Sequence, residues 1–101
     1  MDNKALGFVE LPSLCNAINT LDMMLKSAAV NFETWEKKLG GRLVTIIISG
    51  TVASVTAAVE AAKHNADIKA ALVIAAPHPE TLRMVRISAR KYQDSETTIA
   101  V

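Results

Sequence analysis

The chain predicts an α+β fold in which strands and helices follow one another as β-α-β-β-α-β, with a short C-terminal helix after them. Three observations carry this. Two runs place apolar residues at helical intervals of three and four, the segments between them are short and rich in β-branched residues, and a glycine pair, Gly40-Gly41, joins two consecutive β-rich runs. That order is the split βαβ arrangement of ferredoxin-like folds, an antiparallel sheet with both helices on one face.

The elements follow in order. Residues 5 to 11 read as a first strand, and Pro12 then suits the first turn of a helix, where a missing amide proton costs nothing. In that helix Leu14, Ile18, Leu21, Leu25 and Ala28 make one apolar face, and Asn16, Thr20 and Ser27 lie opposite. A second strand is expected from Phe32 to Lys38 and, after the glycine loop, a third from Leu43 to Ser49. Gly50 ends it. Thr51 can cap the next helix, whose buried stripe is expected at Val52, Val55, Val59 and Ala62. Asn65 to Asp67 break that pattern before a fourth strand from Ala70 to Ala75. Pro77 and Pro79 interrupt the chain, and Glu80 to Lys91 reads as the final helix before a polar tail, with Gln93 to Thr98 expected to be mobile.

A chain of 101 residues is expected to form one domain with a single core. Half of the residues are hydrophobic, but only 4% are aromatic. Small apolar side chains bury little area each, so a monomer of this size would rest on a thin core, and association is the expected remedy. Eleven basic and ten acidic residues leave a net charge of +1, which provides no general attraction to nucleic acid or an anionic membrane. The single cysteine, Cys15, excludes an intramolecular disulfide and a cysteine-cluster metal site. No signal peptide or membrane anchor is readable at the start, so the expected location is cytoplasmic.

Four segments, taken in order, carry a resemblance. They are Leu6-Gly7-Phe8-Val9-Glu10, Asp22-Met23-Met24-Leu25-Lys26-Ser27-Ala28, Val44-Thr45-Ile46-Ile47-Ile48-Ser49-Gly50 and Val73-Ile74-Ala75-Ala76-Pro77-His78, with the loop Lys38-Leu39-Gly40-Gly41-Arg42 among them. Together they resemble the bacterial microcompartment shell domain, in its single-domain hexamer-forming class, over roughly residues 5 to 80. The resemblance implies a circularly permuted relative of the ferredoxin-like fold, with the shell domain at 4–80 and a C-terminal helix and polar tail at 81–101. It also implies a structural protein and no enzyme: a homohexamer that tiles with other shell proteins into the facets of a cytoplasmic organelle enclosing enzymes. A central pore in each hexamer would pass small polar metabolites.

The same resemblance implies that Leu39, Gly40, Gly41 and Arg42 line the pore. Backbone amides there would favour polar or anionic solutes. Arg42 stands where the family usually has a small residue. Either its guanidinium enters the pore and repels cations, or it is the first residue of the third strand and points to solvent or to Glu36. Lys26 falls where the family places a lysine at the hexamer edge; as a residue it also reads as an ordinary exposed helix lysine. The implied edge is completed by Ala76, Pro77 and His78. Ala76 occupies the place of an arginine in the usual Pro-Arg-Pro-His sequence, which implies weaker or more selective tiling, since a charge-assisted hydrogen bond contributes about 1.5–3 kcal/mol.

Other candidates have plainer readings. His64 and His78 lack a ligand partner at helical spacing and read as surface or capping residues, so no metal or other cofactor is expected. Cys15 reads as a small buried residue beside the apolar stripe. No nucleophile motif supports catalysis. Arg83, Arg86 and Arg90 form a basic stripe that reads as a solvated face, and the central strands lack the exposed aromatic pair of an RNA-binding sheet. A second functional class stays open at this point: a ferredoxin-like oligomeric ligand-binding or regulatory module whose glycine loop holds an anion.

Overall fold

Alternation along the strands organises the molecule. The computed structural model describes residues 5–65 and 67–88. Strand β1 (Ala5–Leu11) turns Ala5, Val9 and Leu11 toward one side of a sheet and Leu6 and Phe8 toward the other, as the two-residue period of a strand requires. It lies in the middle of four strands in the order β2-β3-β1-β4, where β2 is Asn31–Lys38, β3 is Leu43–Gly50 and β4 is Ala70–Ile74. All three pairings are antiparallel, with Ala5 opposite Gly50, Leu6 opposite Ile74 and Trp35 opposite Ile46. This is the split βαβ sheet expected from the order of elements. A bulge in β2 between Phe32 and Thr34 turns Glu33 to the side of Ser49, whose hydroxyl donates to the Glu33 carboxylate.

Helices α1 (Leu14–Ser27) and α2 (Val52–Asn65) cover one face of the sheet and pack on each other. Ser13 caps α1: its hydroxyl accepts from the Asn16 amide at 3.1 Å. Pro12 therefore precedes the cap and lies outside the first turn where it was expected. Thr51 caps α2 as anticipated, accepting from the Ser54 amide at 3.1 Å. The two helices and the sheet bury Val44, Ile46 and Ile48 of β3 together with Val55, Ala58, Val59 and Ala62 of α2. Gly7 sits where α2 rests on β1. A Cβ there would lie 2.8 Å from a Val55 methyl carbon, 3.0 Å from Ile48 Cγ1 and 3.1 Å from a Val59 methyl carbon.

The buried stripe of α1 is not the one that apolar spacing predicts. Ala17, Thr20 and Met24 are buried, with Thr20 only 1% exposed, whereas Ile18 is 51% and Leu25 41% exposed. The buried face is rotated by roughly a quarter turn from the widest apolar arc. Small residues decide this. Ala17 and Thr20 let α1 approach the sheet and α2 closely, and Leu14, Leu21 and Ala28 fill the flank beside them. The same rotation leaves Cys15 exposed, contrary to the buried position expected for it. Val52, at the start of α2, is likewise exposed, because the first turn overhangs the core formed by Val55, Ala58 and Val59.

The opposite face of the sheet is covered in part by a third helix, α3, formed by residues 79–88. Its Val85 joins Leu6 and Ile47 in a second, smaller core, with Phe8 and Leu82 alongside. The Ser88 hydroxyl donates to the Glu36 carboxylate, tying the far end of α3 to β2. The rest of the final helix as read from sequence, including Arg90 and Lys91, and the polar tail lie outside the described residues.

Candidate functional site

The loop between β2 and β3 is a single 3-10 turn, Leu39–Gly41. Two consecutive residues are left-handed there: Leu39 at φ 56° and Gly40 at φ 66°, ψ 30°. Glycine holds this conformation without strain, whereas leucine in it costs roughly 1–2 kcal/mol. Something must hold Leu39 in place. Arg42 does so, since its backbone N–H donates to the Leu39 carbonyl at 3.3 Å and its side-chain Nε donates to the same oxygen at 3.0 Å. The guanidinium is thus folded back onto the turn, while the Glu36 carboxylate is taken by Ser88. Leu39 projects outward, 64% exposed, and a Cβ on Gly40 would meet nothing within 4 Å. The tip of the loop stands clear of the other described residues.

The base of the loop is basic. Lys37 lies opposite Val44 and so faces the α1–α2 side, with its ammonium 5.7 Å from the centre of the Trp35 ring. Lys38 lies opposite Leu43 and faces the other side. Both are exposed.

The other predicted positions fall elsewhere. Lys26 lies in the last turn of α1, exposed, with its ammonium 2.8 Å from the Asp22 carboxylate one turn earlier. The hydrogen bond it donates to Asp22, and then the charge of that carboxylate, raise the Lys26 pKa above its ordinary value. Ala76 and His78 are exposed and Pro77 half-buried in the segment that leads from β4 to α3. His78 has a local task there: its Nδ1 accepts from the Glu80 amide at 3.0 Å and its carbonyl accepts from the Thr81 and Leu82 amides, which makes it the N-cap of α3 ahead of Pro79. His64 is exposed in the last turn of α2. Arg83 pairs with Glu80 at 3.0 Å on the outer face of α3, and Arg86 is also exposed.

Sequence reading missed the second face of the sheet. Beside the area covered by α3 is a depression of about 250 Å³ lined by Phe8, Glu10, Thr45, Ala70, Ala71 and Leu72. The signal was present in the even-numbered apolar residues Leu6 and Phe8 of β1, which a sheet covered on one face alone would leave in water. Among the described residues, no group of three or more His, Cys, Asp or Glu side chains is gathered as a metal would need, and no helix is long and apolar enough to cross a membrane.

These features define a class: a small α+β domain of the split βαβ type whose most distinctive element is an outward, left-handed hairpin loop. Comparison with known proteins makes the assignment particular. The BMC domain matches residues 5–77, and the chain belongs to the BMC domain family. It is 39% identical over 89 residues to the bacterial microcompartment shell protein PduA of Citrobacter freundii, covering 84% of this chain and 95% of that protein. It is 37% identical over 81 residues to the carboxysome shell protein CsoS1A of Hydrogenovibrio crunogenus, covering 75% of this chain and 83% of that one. Among solved structures, a microcompartment protein from Desulfitobacterium hafniense DCB superposes with a TM-score of 0.75 at 27% identity, over 85% of this chain and 48% of that chain.

Proposed function

We propose that this protein is a structural shell component of a bacterial microcompartment in the cytoplasm, acting as a homohexameric tile with no catalytic activity of its own. The observation that carries this reading is the match to the shell protein PduA across 95% of that protein's length. Exposed apolar side chains on separate parts of the surface, Ile18 and Leu25 on α1, Phe32 on β2 and Leu72 on β4, support association beyond the monomer. In the hexamer, Leu39, Gly40, Gly41 and Arg42 line a central pore for small polar metabolites. The outward, sterically open Gly40 suits close approach to a symmetry axis. Lys26 and the segment Ala76-Pro77-His78 form the edge at which hexamers meet each other and neighbouring shell proteins. Ala76 supplies no charge to that edge, so tiling is weaker and the protein serves as a minor or specialised component.

Native mass spectrometry of the purified chain, with electron microscopy of the same sample, tests the proposal. Six-fold mass, with or without sheets or tubes, is expected. A stable monomer, dimer or trimer at high concentration would sink the hexameric tile and favour a ferredoxin-like ligand-binding or regulatory module.

A further inference from the structure

We propose that His78 is a proton-sensitive latch on α3: the neutral imidazole holds the start of the helix, and protonation weakens the hold of α3 on the second face of the sheet. The device belongs to a single subunit and needs no ring to operate. An imidazole nitrogen accepts a hydrogen bond only while it carries no proton. Nδ1 of His78 accepts from the Glu80 amide at 3.0 Å, so this contact exists in the neutral form alone. Histidine is the side chain that ordinarily changes charge between about pH 5 and about pH 8. Protonation turns the acceptor into a second donor. It also sets a positive charge beside the N-terminal end of α3, where the helix dipole is itself positive. The capping contact is therefore present above the histidine range and lost as pH falls through it.

The charged groups around α3 leave this step to His78. Within residues 79–88, Glu80 is paired with Arg83 at 3.0 Å, and Arg86 is exposed. Residues 70–77, which lead into the cap, contain no ionisable side chain, and neither do residues 5–9 of β1 or 43–50 of β3. Further along β1, Glu10 accepts from the Thr45 hydroxyl at 3.4 Å. On β2, Glu33 accepts from the Ser49 hydroxyl and Glu36 from that of Ser88. Carboxylates as a class titrate at about pH 4, below the range of histidine. What the latch governs is apolar surface. Helix α3 holds Val85 and Leu82 on Leu6, Ile47 and Phe8, and Phe8 also lines the depression of about 250 Å³ beside the helix. Loosening α3 joins the patch it covers to an apolar depression that is already open, so the second face becomes more accessible as pH falls.

Hydrogen–deuterium exchange of the full chain at about pH 7.5 and about pH 5.5, corrected for the pH dependence of exchange in an unstructured peptide, tests the latch. Wild-type amides of residues 82–88 should lose between about 5-fold and about 30-fold in protection at the lower pH, while β3 keeps its own. That loss is the equivalent of about 1–2 kcal/mol, the scale of a lost N-cap. His78→Asn supplies a good capping side chain that does not titrate, so α3 should stay protected at both pH values. His78→Ala should leave α3 poorly protected at both. Equal wild-type protection at the two pH values overturns the proposal. So does a pH response that persists in His78→Asn, which would assign it to Glu33 or Glu36, and so does an α3 in His78→Ala as protected as the wild type at the higher pH.

Discussion

Arg42 shows how one side chain can have a structural task at a position expected to be functional. Its two hydrogen bonds to the Leu39 carbonyl hold a leucine at positive φ, so Arg42→Ala should loosen the turn more than it destabilises the fold. We expect faster amide hydrogen exchange at Gly40 and Gly41 and a loss of less than about 1 kcal/mol in denaturant unfolding, the scale of an exposed hydrogen bond. Lys26 is the second residue with a measurable signature. Asp22 raises its pKa, so the folded chain favours the ammonium form. That contribution is present below the ordinary lysine pKa and is lost as pH rises through the folded value. In Asp22→Asn the Lys26 pKa should relax downward toward its ordinary value, which a carbon-detected NMR titration of the side chain would read. Both residues stood out in sequence, but their partners did not. A contact across one helical turn or within a three-residue loop depends on side-chain direction, and composition says nothing of that.

Among the elements, β1 and α2 are joined at their closest point by the absence of a side chain. Gly7→Ala would press a methyl group against Val55, Ile48 and Val59, two of them stiff β-branched valines, and should destabilise the fold by roughly 1–3 kcal/mol. Chemical denaturation with an unchanged m-value would verify it. His78→Ala removes the acceptor for the Glu80 amide and should cost about 1 kcal/mol by the scale of other N-cap losses. Since α3 carries Val85 and Leu82 onto Leu6 and Ile47, exchange protection should fall first in α3 and not in β3. The strands were legible to within a residue, because β-branched content and glycine punctuation are local. The face of α1 was not. Counting apolar residues selects the arc of Leu14, Ile18, Leu21, Leu25 and Ala28, of which Leu14, Leu21 and Ala28 flank the core, but close packing centres the buried face on Ala17, Thr20 and Met24, and the partner surface that makes this choice is distant in the chain.

For the whole molecule, the consequence of an edge role for Lys26 is separable from folding. Lys26→Ala removes an exposed ion pair that contributes little to the monomer, so the melting temperature and six-fold mass should be retained. Sheets or tubes seen by electron microscopy should shrink or disappear. Persistence of sheets of wild-type extent would place the edge elsewhere. Apolar residues are left exposed on α1, β2 and β4, and the proposed association would cover such surface.

Periodicity, β-branched runs, caps and glycine positions are local properties of a chain, and by themselves they determined the element order and the antiparallel split βαβ sheet; the family was legible only through the resemblance of four ordered segments to the shell domain. Only the tertiary structure decided which arc of α1 is buried, that α3 crosses to the second face of the sheet, and that Arg42 closes on Leu39 while Glu36 holds Ser88. Those outcomes depend on which surfaces meet after the chain has folded. Burial and hydrogen-bond partnership are shared between residues far apart in sequence, as Glu36 and Ser88 are, so neither partner alone carries the information.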